Sequence, residues 1–259
     1  MNDQKTQIYH IQKDEDVDYV EAKGTLDNLA FEIQKETYNA YDIVVLLTQL
    51  KVALRIGTRL VKETDGYAFV GGSCSNKKVA VIEHAGLGLV GASTFAHETA
   101  HLLGCPHDGE GPPPNIEGAP GAMTCPKSQG YLMGDLYEHK EDKRKYGLSP
   151  CSVKSIEHFL GLPRSQCLIK KNHQTYITSS ELPGSLITLN QTCEYYLQQL
   201  HLDNGFYDTT ESDLKQCDLR CRAPLDGDSY LFTNTEALDG TPCDTLKICR
   251  HGKCGLKKN

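Results

Sequence analysis

No stretch of this 259-residue chain approaches the eighteen or so consecutive apolar residues of a membrane-spanning helix, so a water-soluble protein is expected. A basic stripe is also missing. The 27 Lys and Arg are interspersed among 34 Asp and Glu, for a net charge of -7, and nothing in that balance suits a nucleic-acid partner. The densest charged run, KEDKRK at 140–145, mixes both signs and reads as a solvated face. The opening residues MNDQKTQIYH lack the apolar core of a secretory signal, so a targeting segment is expected to have been removed from the chain as it stands.

Cysteine, by contrast, is plentiful. Of eleven, six (Cys193, Cys217, Cys221, Cys243, Cys249 and Cys254) fall within residues 193–259. That density points to disulfides in an oxidising compartment, and so to a secreted, extracellular protein. A zinc-binding tail is the alternative, because Cys217 and Cys221 stand at loose ligand spacing, although the later spacings fit it poorly. An Asn-x-Thr triplet at Asn190 is compatible with secretion.

The apolar pattern predicts a mixed α/β core. Leu26, Leu29 and Ile33 recur at helical spacing behind a Thr25 cap, giving a helix over 25–40, and DIVVLLT at 42–48 follows as a buried strand. Residues 51–65 are ambiguous. VAVIE at 79–83 reads as a short strand, placed at a sheet edge. A helix over 92–103, capped by Ser93 or Thr94, ends at Gly104, and the glycine- and proline-rich stretch 109–130 is a loop. Ser149-Pro150 opens another helix, expected to bury Val153, Ile156, Phe159 and Leu160 before Gly161. Residues 170–192 are polar and unpatterned, and read as a linker; beyond it only EYYLQQLHL looks helical. Two domains are expected, 1–169 and 193–259.

One segment asks for chemistry. HETAHLLGCPHDG at 97–109 gathers three histidines within eleven positions, and buried imidazoles need a partner at each ring nitrogen. In a helix, His97 and His101 lie one turn apart on the same face, able to reach one ion, with Glu98 about 100° round, free to act on water there. Gly104 lets the chain bend back and deliver His107 as a third ligand. Three neutral imidazoles with one open position describe a catalytic zinc site. His84, His10, His139, His158, His173, His201 and His251 carry no such spacing.

This segment, followed by GYLM ending at Met133, matches the metzincin signature, a zinc helix with a third histidine and a methionine turn. With Asp108, and with DIVVLLT, GYAFVGGSC and SPCS as further landmarks, residues 5–170 resemble the adamalysin or reprolysin branch: snake-venom metalloproteases, ADAM and ADAM-TS proteins, and tick salivary metalloproteases. CDLRC and DGTPCDTLKICRHGKC are similar to the cysteine-rich module of ADAM-TS proteins, which favours the tick-type or ADAM-TS-type arrangement.

The resemblance implies a metzincin-type catalytic domain with a small disulfide-rich domain behind it, in a monomeric, secreted zinc endopeptidase. It implies one catalytic zinc on His97, His101 and His107, Glu98 as general base, Met133 packed beneath the metal, and Asp108 anchoring the chain near the methionine turn. It implies disulfides Cys74 to Cys167 and Cys125 to Cys151; with the six tail cysteines paired, Cys105 is left alone. It implies extracellular matrix or plasma proteins such as fibrinogen as substrates, with an apolar residue after the scissile bond. The chain departs from the family at Thr99-Ala100, where Leu-Gly is usual, in its short segment ahead of DIVVLLT, and at Lys170, so structural calcium is not expected. The rival reading is a catalytically weak or inactive extracellular binding protein acting through its cysteine-rich domain; an intact Glu98 argues against it.

Overall fold

The computed structural model describes residues 9–14, 17–62, 64–84, 89–134, 143–170, 181–198, 200, 202–225 and 229–257. These fall into two compact units, one holding the elements from Ile11 to Ile169 and the other those from Pro183 to Leu256. Mixed α/β architecture is the outcome.

The first unit opens with β1 (Ile11–Asp14), β2 (Val17–Glu21), α1 (Ala22–Glu32) and β3 (Val44–Thr48). It continues with β4 (Lys51–Ile56), β5 (Arg59–Val61), β6 (Gly66–Ala68), β7 (Val79–Glu83), α2 (Leu89–Leu102) and α3 (Pro150–Leu160). One sheet runs β1-β2-β4-β5, with β2 and β4 parallel; the other runs β3-β7-β6, with β7 parallel to β3 and antiparallel to β6. The ambiguous stretch 51–65 thus holds a hairpin, β4 and β5, turned at Gly57.

VAVIE is not an edge: it is the central strand β7, and Val79, Ala80, Val81 and Ile82 are fully buried. Both of its faces are covered, which is why it reads as continuously apolar instead of alternating. Val79 packs with Leu26 and Leu29 of α1 and with Ile33 just beyond it, whereas Ala80 packs with Leu102 of α2. DIVVLLT takes the flanking position, and its Leu47 is exposed.

Helix α1 starts three residues ahead of Thr25, because the Glu21 carboxylate caps it through the Lys23 and Gly24 N–H groups at 3.2 and 2.6 Å. Thr25 is buried inside the helix, its hydroxyl accepting the His10 N–H at 2.8 Å. The helix stops at Glu32 rather than 40, since beyond Ile33 the next positions at helical spacing, Glu36 and Thr37, are polar. Helix α2 likewise begins at Leu89, ahead of the proposed Ser93 or Thr94 cap. Helix α3 is capped by Ser149 with Pro150 in its first turn, but it buries Cys151, Ser152, Ser155 and Phe159, leaving Val153 and Leu160 exposed. The face is turned by the Cys125–Cys151 disulfide and by the Asp108 carboxylate, which claim Cys151 and Ser152.

The second unit holds α4 (Pro183–Leu186), α5 (Leu189–Gln198), β8 (Phe206–Tyr207), β9 (Asp218–Pro224), β10 (Tyr230–Glu236), β11 (Pro242–Asp244), β12 (Lys247–Arg250) and β13 (Lys253–Leu256). Its strands form two three-stranded sheets, β10-β9-β8 and β11-β12-β13. Within the expected linker, 183–186 and 189–192 are helical and belong to this unit: the Gly184 N–H reaches the Asp239 carbonyl at 2.8 Å. A capping box starts α5, with the Gln191 N–H on the Thr188 hydroxyl at 3.2 Å and the Thr188 N–H on the Gln191 side chain at 3.0 Å. Its core is largely cystine, from Cys193–Cys221, Cys217–Cys249 and Cys243–Cys254, packed around Leu197, Leu219 and Ala237. So small a unit gains more from cross-links than from apolar area. Cys217, Cys243 and Cys249 lie close enough to share an ion, yet every one of those sulfurs is committed to a disulfide. Among the described residues, no helix is long and apolar enough to cross a membrane.

Candidate metal centre and its surroundings

Helix α2 carries His97 and His101 on adjacent turns, and the chain then reverses at Gly104. Gly104 has φ +87, and a Cβ there would lie 2.8 Å from the Cβ of Phe159, so both backbone and packing require glycine. The reversal brings His107 back, and its Nε2 lies 3.2 Å from the Nε2 of His97 and 3.2 Å from that of His101.

The other ring nitrogens explain this convergence. Nδ1 of His97 donates to the Leu132 carbonyl and Nδ1 of His101 to the Cys105 carbonyl, each at 2.8 Å; Nδ1 of His107 donates to Glu110 at 3.2 Å. With the proton on Nδ1, each ring presents an Nε2 lone pair to the same point. Three lone pairs so close repel unless a cation lies among them, and tetrahedral zinc with Zn–N bonds of about 2.0–2.1 Å sets its nitrogens about 3.3 Å apart. The donor set fits zinc. Burial holds His97 down to about 4, and burial together with the charges of the other two rings takes His101 well below 6.5, so both imidazoles are neutral and able to ligate.

Glu98 lies beside them, almost wholly buried. Burial pushes its carboxyl up to about 8, with the Asp65 charge adding to the rise, and its Oε2 has no hydrogen-bond partner. A buried orphan carboxylate next to a cation-shaped gap gains its counter-charge when the gap is filled. Space for it comes from Gly66 in β6: a Cβ there would stand 2.7 Å from Glu98 Oε1.

Met133 is fully buried in a cluster with Ala100, Cys105 and Leu132, so Ala100 of the atypical Thr99-Ala100 pair belongs to the same cluster. Asp108 is fully buried too. Its N–H donates to the Met133 carbonyl at 2.8 Å, and its Oδ1 accepts from the hydroxyls of Ser149 at 2.6 Å and Ser152 at 3.2 Å. Cys74 is joined to Cys167 and Cys125 to Cys151, while Cys105 is a buried free thiol that burial pushes up to about 11. His84 does not join the three histidines.

Gly66, Glu110, Leu132, Ser149 and Ser152 complete the site without having been singled out as parts of it. Leu132 acts through a main-chain carbonyl, which has no signature in sequence. For Glu110 a signal existed: HDGE, a glycine turn that returns a carboxylate towards a metal-spaced histidine.

Fold and site together are consistent with a zinc metallopeptidase domain of the reprolysin type. Residues 3–108 match the model described as metallo-peptidase family M12B, reprolysin-like. The chain is 34% identical over 223 residues to "A disintegrin and metalloproteinase with thrombospondin motifs like" of Bombyx mori, an alignment covering 83% of this chain and 30% of that protein. It is 48% identical over 79 residues to the venom metalloproteinase antarease-like TfasMP_A of Tityus fasciolatus, covering 30% of this chain and 32% of that protein. It is 29% identical over 205 residues to "A disintegrin and metalloproteinase with thrombospondin motifs 19" of Homo sapiens, covering 74% of this chain and 15% of that protein. The chain therefore spans less than a third of the length of each of these relatives. Zinc is the cofactor of this family, and His97, His101 and His107 form a group able to hold it.

Proposed function

We propose that the chain is a secreted zinc endopeptidase acting as a monomer on extracellular matrix or plasma proteins such as fibrinogen, with its catalytic part within residues 1–169 and a cysteine-rich part that includes 193–259. The observation that carries this reading is the meeting of three imidazole nitrogens, with two contacts of 3.2 Å, beside the buried Glu98 side chain. His97, His101 and His107 hold the metal. When bound, zinc supplies Lewis acidity, acidifying water and polarising the scissile carbonyl.

The chain's own groups do the rest. Glu98 takes the proton of the attacking water and hands it to the leaving amine, and its burial against Gly66 keeps bulk water from competing for that carboxylate. Met133 supports the ligand rings from below, and Asp108 fixes the turn that carries His107. The disulfides and the venom relatives support secretion.

Incubation of the purified protein with plasma and matrix proteins, with and without a zinc chelator, tests this. Cleavage before apolar residues is expected, stopped by the chelator and restored by zinc. Zinc-loaded protein that binds these proteins without cutting any would support the inactive binding protein instead.

A further inference from the structure

Each zinc-facing imidazole is gripped from behind at Nδ1, but the three grips differ in kind. His97 and His101, both on α2, donate to main-chain carbonyls. His107 comes from a loop and donates to a side chain: Glu110 Oε1 accepts its Nδ1–H, and Glu110 Oε2 accepts its backbone N–H, both at 3.2 Å. The backbone delivers that carboxylate. The Glu110 N–H returns to the His107 carbonyl at 3.1 Å, closing a four-residue turn whose third residue, Gly109, has φ +84, a conformation that suits glycine. Two further bonds lock the turn to the loop beyond: the Ala122 N–H to the Glu110 carbonyl at 2.8 Å, and the Gly109 N–H to the Ala122 carbonyl at 3.0 Å. Lys127 Nζ lies 3.7 Å from the same Oε1, on the solvent side.

We propose that Glu110 is a positioning residue for the metal centre, acting through His107 to set how tightly zinc is retained. A carboxylate behind a ligating imidazole fixes its tautomer and ring orientation and raises its basicity above that of a carbonyl-held ring. His107 is thus the one ligand whose strength a side chain controls. The proposal rests on the reading of His107 as a zinc ligand.

Glu110→Ala and Glu110→Gln in the full chain test it, the second keeping a neutral acceptor of the same shape should the first fail to fold. Zinc affinity is read by competition with a chromophoric chelator, and the ligand field by the visible spectrum of the cobalt(II)-substituted protein. One zinc per chain is expected in both variants, bound about tenfold to a hundredfold more weakly in the alanine variant and less weakened in the glutamine variant, with a shifted cobalt band. Affinities within about twofold of the parent and an unmoved cobalt spectrum overturn the role of Glu110 alone, provided that the parent binds one zinc and His107→Ala loses it. A parent that binds no zinc overturns the underlying site.

Discussion

The Asp108 N–H and the Met133 carbonyl are joined by a hydrogen bond of 2.8 Å, so the residue following the third histidine is tied directly to the turn that carries Met133. The Asp108 carboxylate extends the tie to the start of α3 through Ser149 and Ser152. Asp108→Ala takes the carboxylate acceptor from the buried Ser152 hydroxyl and leaves Ser149 only the Ser152 oxygen, and is expected to lower stability by about 1–3 kcal/mol. Denaturant unfolding of the zinc-loaded protein measures this; an unchanged midpoint refutes it.

Gly104 and Gly57 both have positive φ, but only Gly104 is hemmed in. Gly57→Ala meets open space and should cost about 1–2 kcal/mol of backbone strain. Gly104→Ala must also displace Phe159, so its loss of stability should be larger and should come with loss of zinc. Equal costs with equal zinc content would show that the reversal tolerates a side chain.

Glu98→Ala is expected to retain zinc and lose peptidase activity by about 10² to 10⁴ or more, the range that general acid–base assistance supplies. Zinc content and turnover measured on one preparation separate the two effects. Undiminished cleavage places the base elsewhere.

Cys105 is the cysteine outside the five disulfides, and it is fully buried with its S–H directed to the Pro106 carbonyl at 3.3 Å. Thiol labelling should find one sulfhydryl in the unfolded, unreduced chain and none reacting in the native protein. Two or more thiols after unfolding contradict the pairing.

Glu21, the cap of α1, provides a pH handle that is not a metal ligand. Burial pushes its carboxyl up, but the Gly24 N–H, the His10 ring and the Lys23 N–H outweigh that, and the net value lies below 4.5. A carboxyl lowered on folding adds stability that is complete above its unfolded value and is lost as the pH falls through the folded one. Glu21→Gln should therefore be less stable than the parent at neutral pH, with the gap closing as the pH drops below 4.5. A gap that stays constant down to about pH 3 shows that charge is not its cause.

The zinc cluster is legible in thirteen consecutive residues because its geometry is local: a helix sets the four-residue interval, and one glycine permits the return. The Thr188 and Gln191 capping box was legible in the same way, although the polar composition around it reads as linker. Other features required the folded chain. The centrality of VAVIE depends on helices covering both of its faces, and the exposure of Val153 and Leu160 on Cys125 and Asp108 turning α3. The tail's disulfide pairing is a matter of which sulfurs meet in space, which spacing leaves open. The grips behind the ligands divide along the same line. Glu110 stands three residues from His107 and left a trace in the sequence, whereas the Leu132 carbonyl, 35 residues from His97, is a group that every residue carries and that only tertiary structure could single out.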